Sequence, residues 1–173
     1  MASEPEENVY ELCIMRHGIA GDRGASSTDA KRALTPEGRE RVQEIARGLA
    51  KTGFTPDRIV SSPYLRAAET AGMVAQTIGS GPRVESCDAL QPGGDPKALF
   101  EFLGKGSAGK AVLVVGHEPD LGKLAGGLVG AGRNHDFAFK KGGCCLISFD
   151  RFPPKAPGRL VWWLTPRILR KLA

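Results

Sequence analysis

This 173-residue sequence predicts an α/β fold: a single three-layer α/β/α domain built on a mostly parallel central sheet. Three observations carry that prediction. Short β-rich runs alternate with helical patterns along the chain. One of those runs, Ala111-Val112-Leu113-Val114-Val115, is continuously apolar, as a strand covered by helices on both faces must be. Polar side chains with chemical potential stand directly behind several strands, at the carboxyl edge where open α/β sheets collect ligands.

Residues 1–8 begin Met1-Ala2-Ser3-Glu4-Pro5-Glu6-Glu7, an acidic stretch read as a flexible tail that lacks the basic and apolar regions of a secretory signal. Val9 to Met15 is the first strand, and it runs straight into Arg16-His17-Gly18. A polar loop from about Gly21 to Ala33 precedes Thr35-Pro36-Glu37, which combines a capping hydroxyl, a proline at the first helical position and a carboxylate near the positive dipole end. That helix runs to about Thr52. Val42, Ile45, Ala46 and Leu49 form its apolar face, and Gly53 stops it.

Arg58 to Ser61 is a short strand, after which Ser62-Pro63 opens a second helix with Ala67, Ala71, Val74, Ala75 and Ile78 on one face and Arg66 in its first turn. A brief extended piece near Arg83 to Glu85, the turn Pro92 to Pro96 and a helix from Lys97 to Leu103 lead to the apolar strand at Ala111. Gly116-His117-Glu118-Pro119 ends that strand, with Pro119 starting a helix through Leu128. Cys144 to Phe149 and Arg159 to Leu164 are late strands, and Pro166 to Leu172 is a short terminal helix or tail.

Composition narrows the function classes. Hydrophobic residues at 41% and charged residues at 25% are ordinary globular values, and no apolar stretch approaches the roughly 20 residues of a membrane span, so a soluble, cytoplasmic protein with no membrane partner is expected. A chain this long buries on the order of 70% of its unfolded surface and needs no staple. Cys13, Cys87, Cys144 and Cys145 have no paired metal-site spacing, and adjacent Cys144 and Cys145 point to opposite faces if they lie on a strand. The net charge of +5 suits an anionic partner, yet basic residues cluster only at Arg167, Arg170 and Lys171, without interleaved aromatics, so no nucleic-acid partner is expected. Gly104 to Ala111 nearly matches a P-loop but has Ala111 at the Mg-binding hydroxyl position, and it follows a helix and feeds a strand, the reverse of the required context.

Three strand ends therefore deliver Arg16 and His17, Arg66, and His117 to one rim. Each histidine alone reads as a hydrogen-bonded structural residue, and Arg66 alone as a solvated one; their joint placement points instead to an oxyanion cradle. Guanidinium forks match phosphate oxygens and stay charged at any relevant pH. The third histidine, His135, sits in the polar run Arg133 to Asp136 with no companion at metal-site spacing, so neither metal nor cofactor is implied.

The motifs Ile14-Met15-Arg16-His17-Gly18-Ile19-Ala20, Leu34-Thr35-Pro36-Glu37-Gly38, Val60-Ser61-Ser62-Pro63-Tyr64-Leu65-Arg66-Ala67, Leu90 to Asp95, Val115 to Pro119 and Trp163 to Pro166 resemble, in order and spacing, the histidine phosphatase superfamily. Within it, the compact chain is similar to the SixA-type phosphohistidine phosphatases. The resemblance implies a phosphoglycerate mutase-like fold. It also implies His17 as nucleophile, with Arg16, Arg66, His117 and Gly18 binding the substrate phosphate. The partner it implies is a phosphorylated protein such as a phosphotransfer or phosphorelay domain; a monomer is favoured.

A proton donor is harder to place. Glu118, beside His117, is the candidate, with Asp88 and Asp95 as others, and each also has a structural reading. A phosphoramidate leaves more readily than an alkoxide, so the lack of a clear acid fits a phosphohistidine substrate. Phosphatase activity on a small phosphoester, and a non-catalytic phosphate-binding domain, are the alternative readings.

Overall fold

The computed structural model describes residues 9–22, 24, 28–79, 83–105, 109–131, 137–155 and 157–173. The expected tail at 1–8, His135 with its polar run, and the centre of the P-loop-like segment lie outside these residues. In chain order the elements are β1 (Tyr10–Arg16), α1 (Pro36–Lys51), β2 (Arg58–Ser61), α2 (Leu65–Ile78), β3 (Val84–Ser86), α3 (Pro96–Gly104), β4 (Ala111–Gly116), α4 (Asp120–Leu128), β5 (Cys144–Phe149), β6 (Arg159–Leu164) and α5 (Pro166–Leu172). Single 3-10 turns sit at Asp29–Lys31 and Asp88–Leu90.

The strands form one six-stranded sheet in the order β3-β2-β4-β1-β5-β6. β3, β2, β4 and β1 are mutually parallel, whereas β5 and β6 add antiparallel, so the sheet is mostly parallel as expected. β1 and β4 occupy the centre, and both are buried through most of their length.

Alternation along the strands sends side chains to two separate cores. On one face Cys13, Met15, Ile59, Leu113, Val115, Cys144 and Leu146 pack with Ile45 and Leu49 of α1, Ala67, Ala71 and Val74 of α2, and Leu169 of α5. On the other, Leu12, Ile14, Val60, Val112, Val114, Cys145 and Ile147 meet Leu99 and Leu103 of α3 and Leu121, Leu124 and Leu128 of α4. That is the three-layer α/β/α arrangement. Cys144 and Cys145 fall in different cores, and all four cysteines are free and buried. Burial pushes the thiols of Cys13, Cys87 and Cys145 upward, so they are un-ionised core groups.

Helix boundaries follow local chemistry. Thr35 caps α1 by accepting a hydrogen bond from Gly38 N, Asp95 caps α3 through Lys97 N, and Thr165 caps α5 through Ile168 N; each helix has proline in its first turn. α2 starts later than expected. Ser62 does not open it, because its Oγ accepts from Tyr64 N in a tight turn and Tyr64 remains extended at the N-cap.

Candidate active site

Parallel strands β2, β4 and β1 are neighbours, so their carboxyl ends lie side by side and their following residues meet. The backbone ladder extends past the strands: His17 N–H donates to Gly116 O at 3.1 Å and Ser62 N–H to Val115 O at 2.9 Å. Beneath β1, Gly142 N–H reaches the carbonyls of both Arg16 and His17 at 3.1 Å. Gly142 adopts φ +82, and a Cβ there would meet Ile45 Cδ1 at 2.6 Å, so this turn demands glycine.

His17, Arg66 and His117 are brought together and buried, with 6%, 4% and 3% of their surfaces exposed. The His17 ring is held at both nitrogens. Nδ1–H donates to the Gly18 carbonyl at 2.7 Å, and Arg66 Nε–H donates to Nε2 at 3.2 Å, which identifies Nε2 as the atom bearing the lone pair. Burial is the main cause that lowers the His17 pKa to about 3; His117, Arg66 and Arg16 add to it, and the Gly18 carbonyl opposes it. The imidazole is neutral at pH 7.

His117 lies against His17 with ring centroids 5.0 Å apart. Its Nε2 meets Ser62 Oγ at 2.9 Å, and its Nδ1 is buried without a hydrogen-bond partner among the described residues. Burial, then the charge of Arg66, takes its pKa to about 4 against the opposing pull of Asp29 and Asp120. Tyr64 wedges between these groups, edge-on to His117 at 5.2 Å and beneath the Arg66 guanidinium at 5.1 Å.

Arg16 donates from Nη1 to Phe139 O at 2.7 Å, while its Nε is buried without a partner among the described residues. Burial lowers its pKa, with the Glu118 carboxylate opposing and Arg66 reinforcing. Glu118 Oε1 accepts from Phe139 N–H at 3.0 Å. Phe139 is thus gripped through its carbonyl by Arg16 and through its amide by Glu118, so Glu118 acts as an acceptor that fixes the segment around Arg16.

Gly18, expected at the phosphate, has both backbone polar groups engaged within the protein. Its N–H is spent on Thr70 Oγ1 at 3.0 Å and its carbonyl on His17, so it orients the ring and docks the loop on α2. Asp95 caps α3, and Asp88 accepts from Gln91 Nε2 at 2.9 Å, so both candidate acids have structural employment.

Two residues of this site were missed by sequence reasoning. Asp29 accepts from Arg66 through its carbonyl at 2.8 Å and through Oδ2 at 3.2 Å, and its Oδ1 accepts from Arg32 Nε at 2.8 Å. Partial burial raises the Asp29 carboxyl, but the charge and hydrogen bonds of Arg66 and Arg32 outweigh it and hold the group below its ordinary value. Nothing in a polar loop marks this aspartate. Ser62 was read as a helix opener; its position beside Pro63 concealed a fully buried hydroxyl facing His117.

The geometry corresponds to known proteins. Residues 12–91 match the family model described as the histidine phosphatase superfamily, branch 1. Phosphohistidine phosphatase SixA of Escherichia coli (strain K12) is 32% identical over 66% of this chain and 71% of its own length. The chain belongs to the histidine phosphatase superfamily. An uncharacterised protein of Picosynechococcus is 35% identical over 77% of this chain and 81% of its own. Among solved structures, the protein histidine phosphatase SixA complexed with tungstate superimposes with a TM-score of 0.78 at 26% identity, covering 92% of this chain and 99% of the other. These likenesses make the chain a SixA-type member of the superfamily, with the phosphoglycerate mutase-like fold.

Proposed function

We propose that this histidine phosphatase is a metal-independent phosphohistidine phosphatase acting on a phosphorylated protein, with the phosphoryl group carried transiently on His17 Nε2. The observation that carries the proposal is the His17 ring, tied at Nδ1 to a carbonyl and left with its Nε2 lone pair beside Arg66. In the first step that lone pair attacks phosphorus and the bond to the substrate nitrogen breaks, the departing imidazole taking up a proton from solvent water while His17 keeps its own at Nδ1. Water then attacks phospho-His17, releasing inorganic phosphate and the neutral ring. Arg16 and Arg66 supply the positive charge that the equatorial oxygens need, so no metal enters the scheme.

His117 completes the cradle. In the neutral ring the Ser62 hydroxyl donates to Nε2 and Nδ1–H is left to donate toward phosphate; in the imidazolium that a bound dianion favours, Nε2–H donates to Ser62 Oγ and Nδ1–H still faces the phosphate. Asp29 holds Arg66 in place until phosphate oxygens compete for its fork. The nature of the substrate is supported by the carboxylates: Glu118, Asp29, Asp88 and Asp95 all serve as hydrogen-bond acceptors, an arrangement that suits a leaving imidazole better than a leaving alkoxide. The relatives bearing the name phosphohistidine phosphatase point the same way.

His17→Ala tests the assignment. Incubation with a labelled phosphohistidine protein followed by alkaline quench should leave acid-labile label on the wild type and none on the variant, with turnover down more than about 10³-fold. A variant with full turnover removes His17 as nucleophile. Wild-type turnover confined to sugar phosphates removes the phosphoprotein substrate.

A further inference from the structure

A second basic feature lies beside the site and takes no part in the scheme above. A groove of about 120 Å³ runs between α1 and α5, walled by Arg41 of α1, Lys141 of the turn before β5, Arg167 and Arg170 of α5, and Gly18. All four cationic residues are exposed. Arg41 pairs with Glu37 at 2.5 Å and Arg170 with Glu44, whereas Lys141 and Arg167 form no ion pair among the described residues. Four cations against two carboxylates leave an excess of two positive charges around one concavity.

The groove is also preformed. A Cβ on Gly48 would meet Leu169 O at 1.8 Å, so α5 sits directly on the α1 backbone and its position is set by close packing. Lys141 adjoins Gly142, whose N–H binds the carbonyls of Arg16 and His17, and Gly18 immediately follows His17. Groove and site therefore share one backbone turn. Whatever fills the groove touches the residue next to the proposed nucleophile, which is the situation of a chain segment attached to the group being dephosphorylated.

Resting on the phosphoprotein reading, we propose that this groove binds an acidic segment of the substrate protein, its Asp or Glu side chains meeting Lys141 and Arg167 while the phosphohistidine occupies the His17 site. Such rim charges govern encounter and salt dependence more than chemistry.

The test uses K141E/R167E and the neutral K141M/R167M in the full chain. Anisotropy of a fluorescein-labelled hexaglutamate peptide at low salt reads the groove directly, and turnover of a phosphohistidine protein is compared with turnover of free phosphoramidate. The charge reversal should weaken peptide binding and lower kcat/KM for the protein by about tenfold each, with the neutral variant intermediate and phosphoramidate turnover and melting unchanged. Equal loss on protein and phosphoramidate, no peptide binding by the wild type, or unaltered binding in both variants overturns the groove. A wild type that binds peptide yet leaves phosphohistidine protein untouched overturns the substrate reading and leaves the groove as an acidic-segment site.

Discussion

Arg58 and Arg66 belong to the same strand–helix unit, both are buried, and they stand at opposite ends of β2, yet their surroundings differ in kind. Arg58 at the amino end has every guanidinium nitrogen hydrogen-bonded within the fold. Glu85 takes a two-pronged grip on it at 2.8 and 3.0 Å, Nη1 donates to Leu103 O at 2.8 Å, Nη2 reaches Lys105 O at 3.2 Å, and Phe102 lies beneath the guanidinium at 5.4 Å. The hydrogen bonds from Arg58 hold the Glu85 carboxyl below its ordinary value against the effect of burial. At the carboxyl end Arg66 spends Nε on an imidazole nitrogen and its two terminal nitrogens on Asp29, while Arg16 Nε and His117 Nδ1 nearby are buried with no hydrogen-bond partner among the described residues.

The Arg58 bonds tie three segments of the fold together, β2, β3 and the end of α3. Incomplete satisfaction costs stability, since buried polar atoms without partners have lost water for no return. Buried polar groups left unsatisfied beside a neutral histidine are a recurring pattern of ligand sites.

The largest expected effect separates the two arginines by activity. Arg66→Ala should reduce phosphate release by about 10²- to 10³-fold in steady-state assays, with a much smaller change in melting temperature than Arg58→Ala produces. Arg58→Ala is the converse: it strips Glu85 and the Leu103 and Lys105 carbonyls of their donor and should cost about 3 kcal/mol in denaturant unfolding, while kcat of the folded protein stays near wild type. If Arg58→Ala impairs turnover as much as Arg66→Ala, the contrast between a structural and a functional end of β2 is broken.

Smaller effects sharpen it. Ser62→Ala leaves His117 Nε2 without its partner and should lower kcat about tenfold while KM for the phosphoprotein changes little, a split that a merely packed serine would not produce. The pH dependence is smaller again and has a definite sign. His17 and His117 titrate near 3 and 4 in the fold against an ordinary 6.5, so the unfolded chain binds more protons below about pH 6.5. Their contribution makes the fold progressively less stable as pH falls from there toward 3, and it vanishes above 6.5. Urea unfolding of His17→Asn should show a shallower acid loss than wild type; an identical pH slope would refute the buried neutral state of His17.

Local chemistry was legible at particular residues. Thr35-Pro36 marked the start of α1 because a cap and a proline act within one turn, and β5 and β6 were bounded correctly because turn residues flank apolar runs. Arg16, His17, Arg66 and His117 could be placed on one rim because strand ends in parallel α/β sheets share an edge. Asp29 and Ser62 were not legible, since each is placed by a contact with a residue 37 or 55 positions away.

The sequence by itself determined the α/β class, nearly every element and which side chains stand at the strand ends, because periodicity, capping and strand-end motifs are short-range and survive in one dimension. Only the tertiary structure decided which nitrogen of His17 bears the lone pair, what holds Arg66, that the Gly18 carbonyl orients the His17 ring, and that Glu118 grips Phe139. Those outcomes depend on hydrogen bonds between strand ends and loops brought together by the order β2-β4-β1, and no local pattern encodes which donors that order leaves unspent.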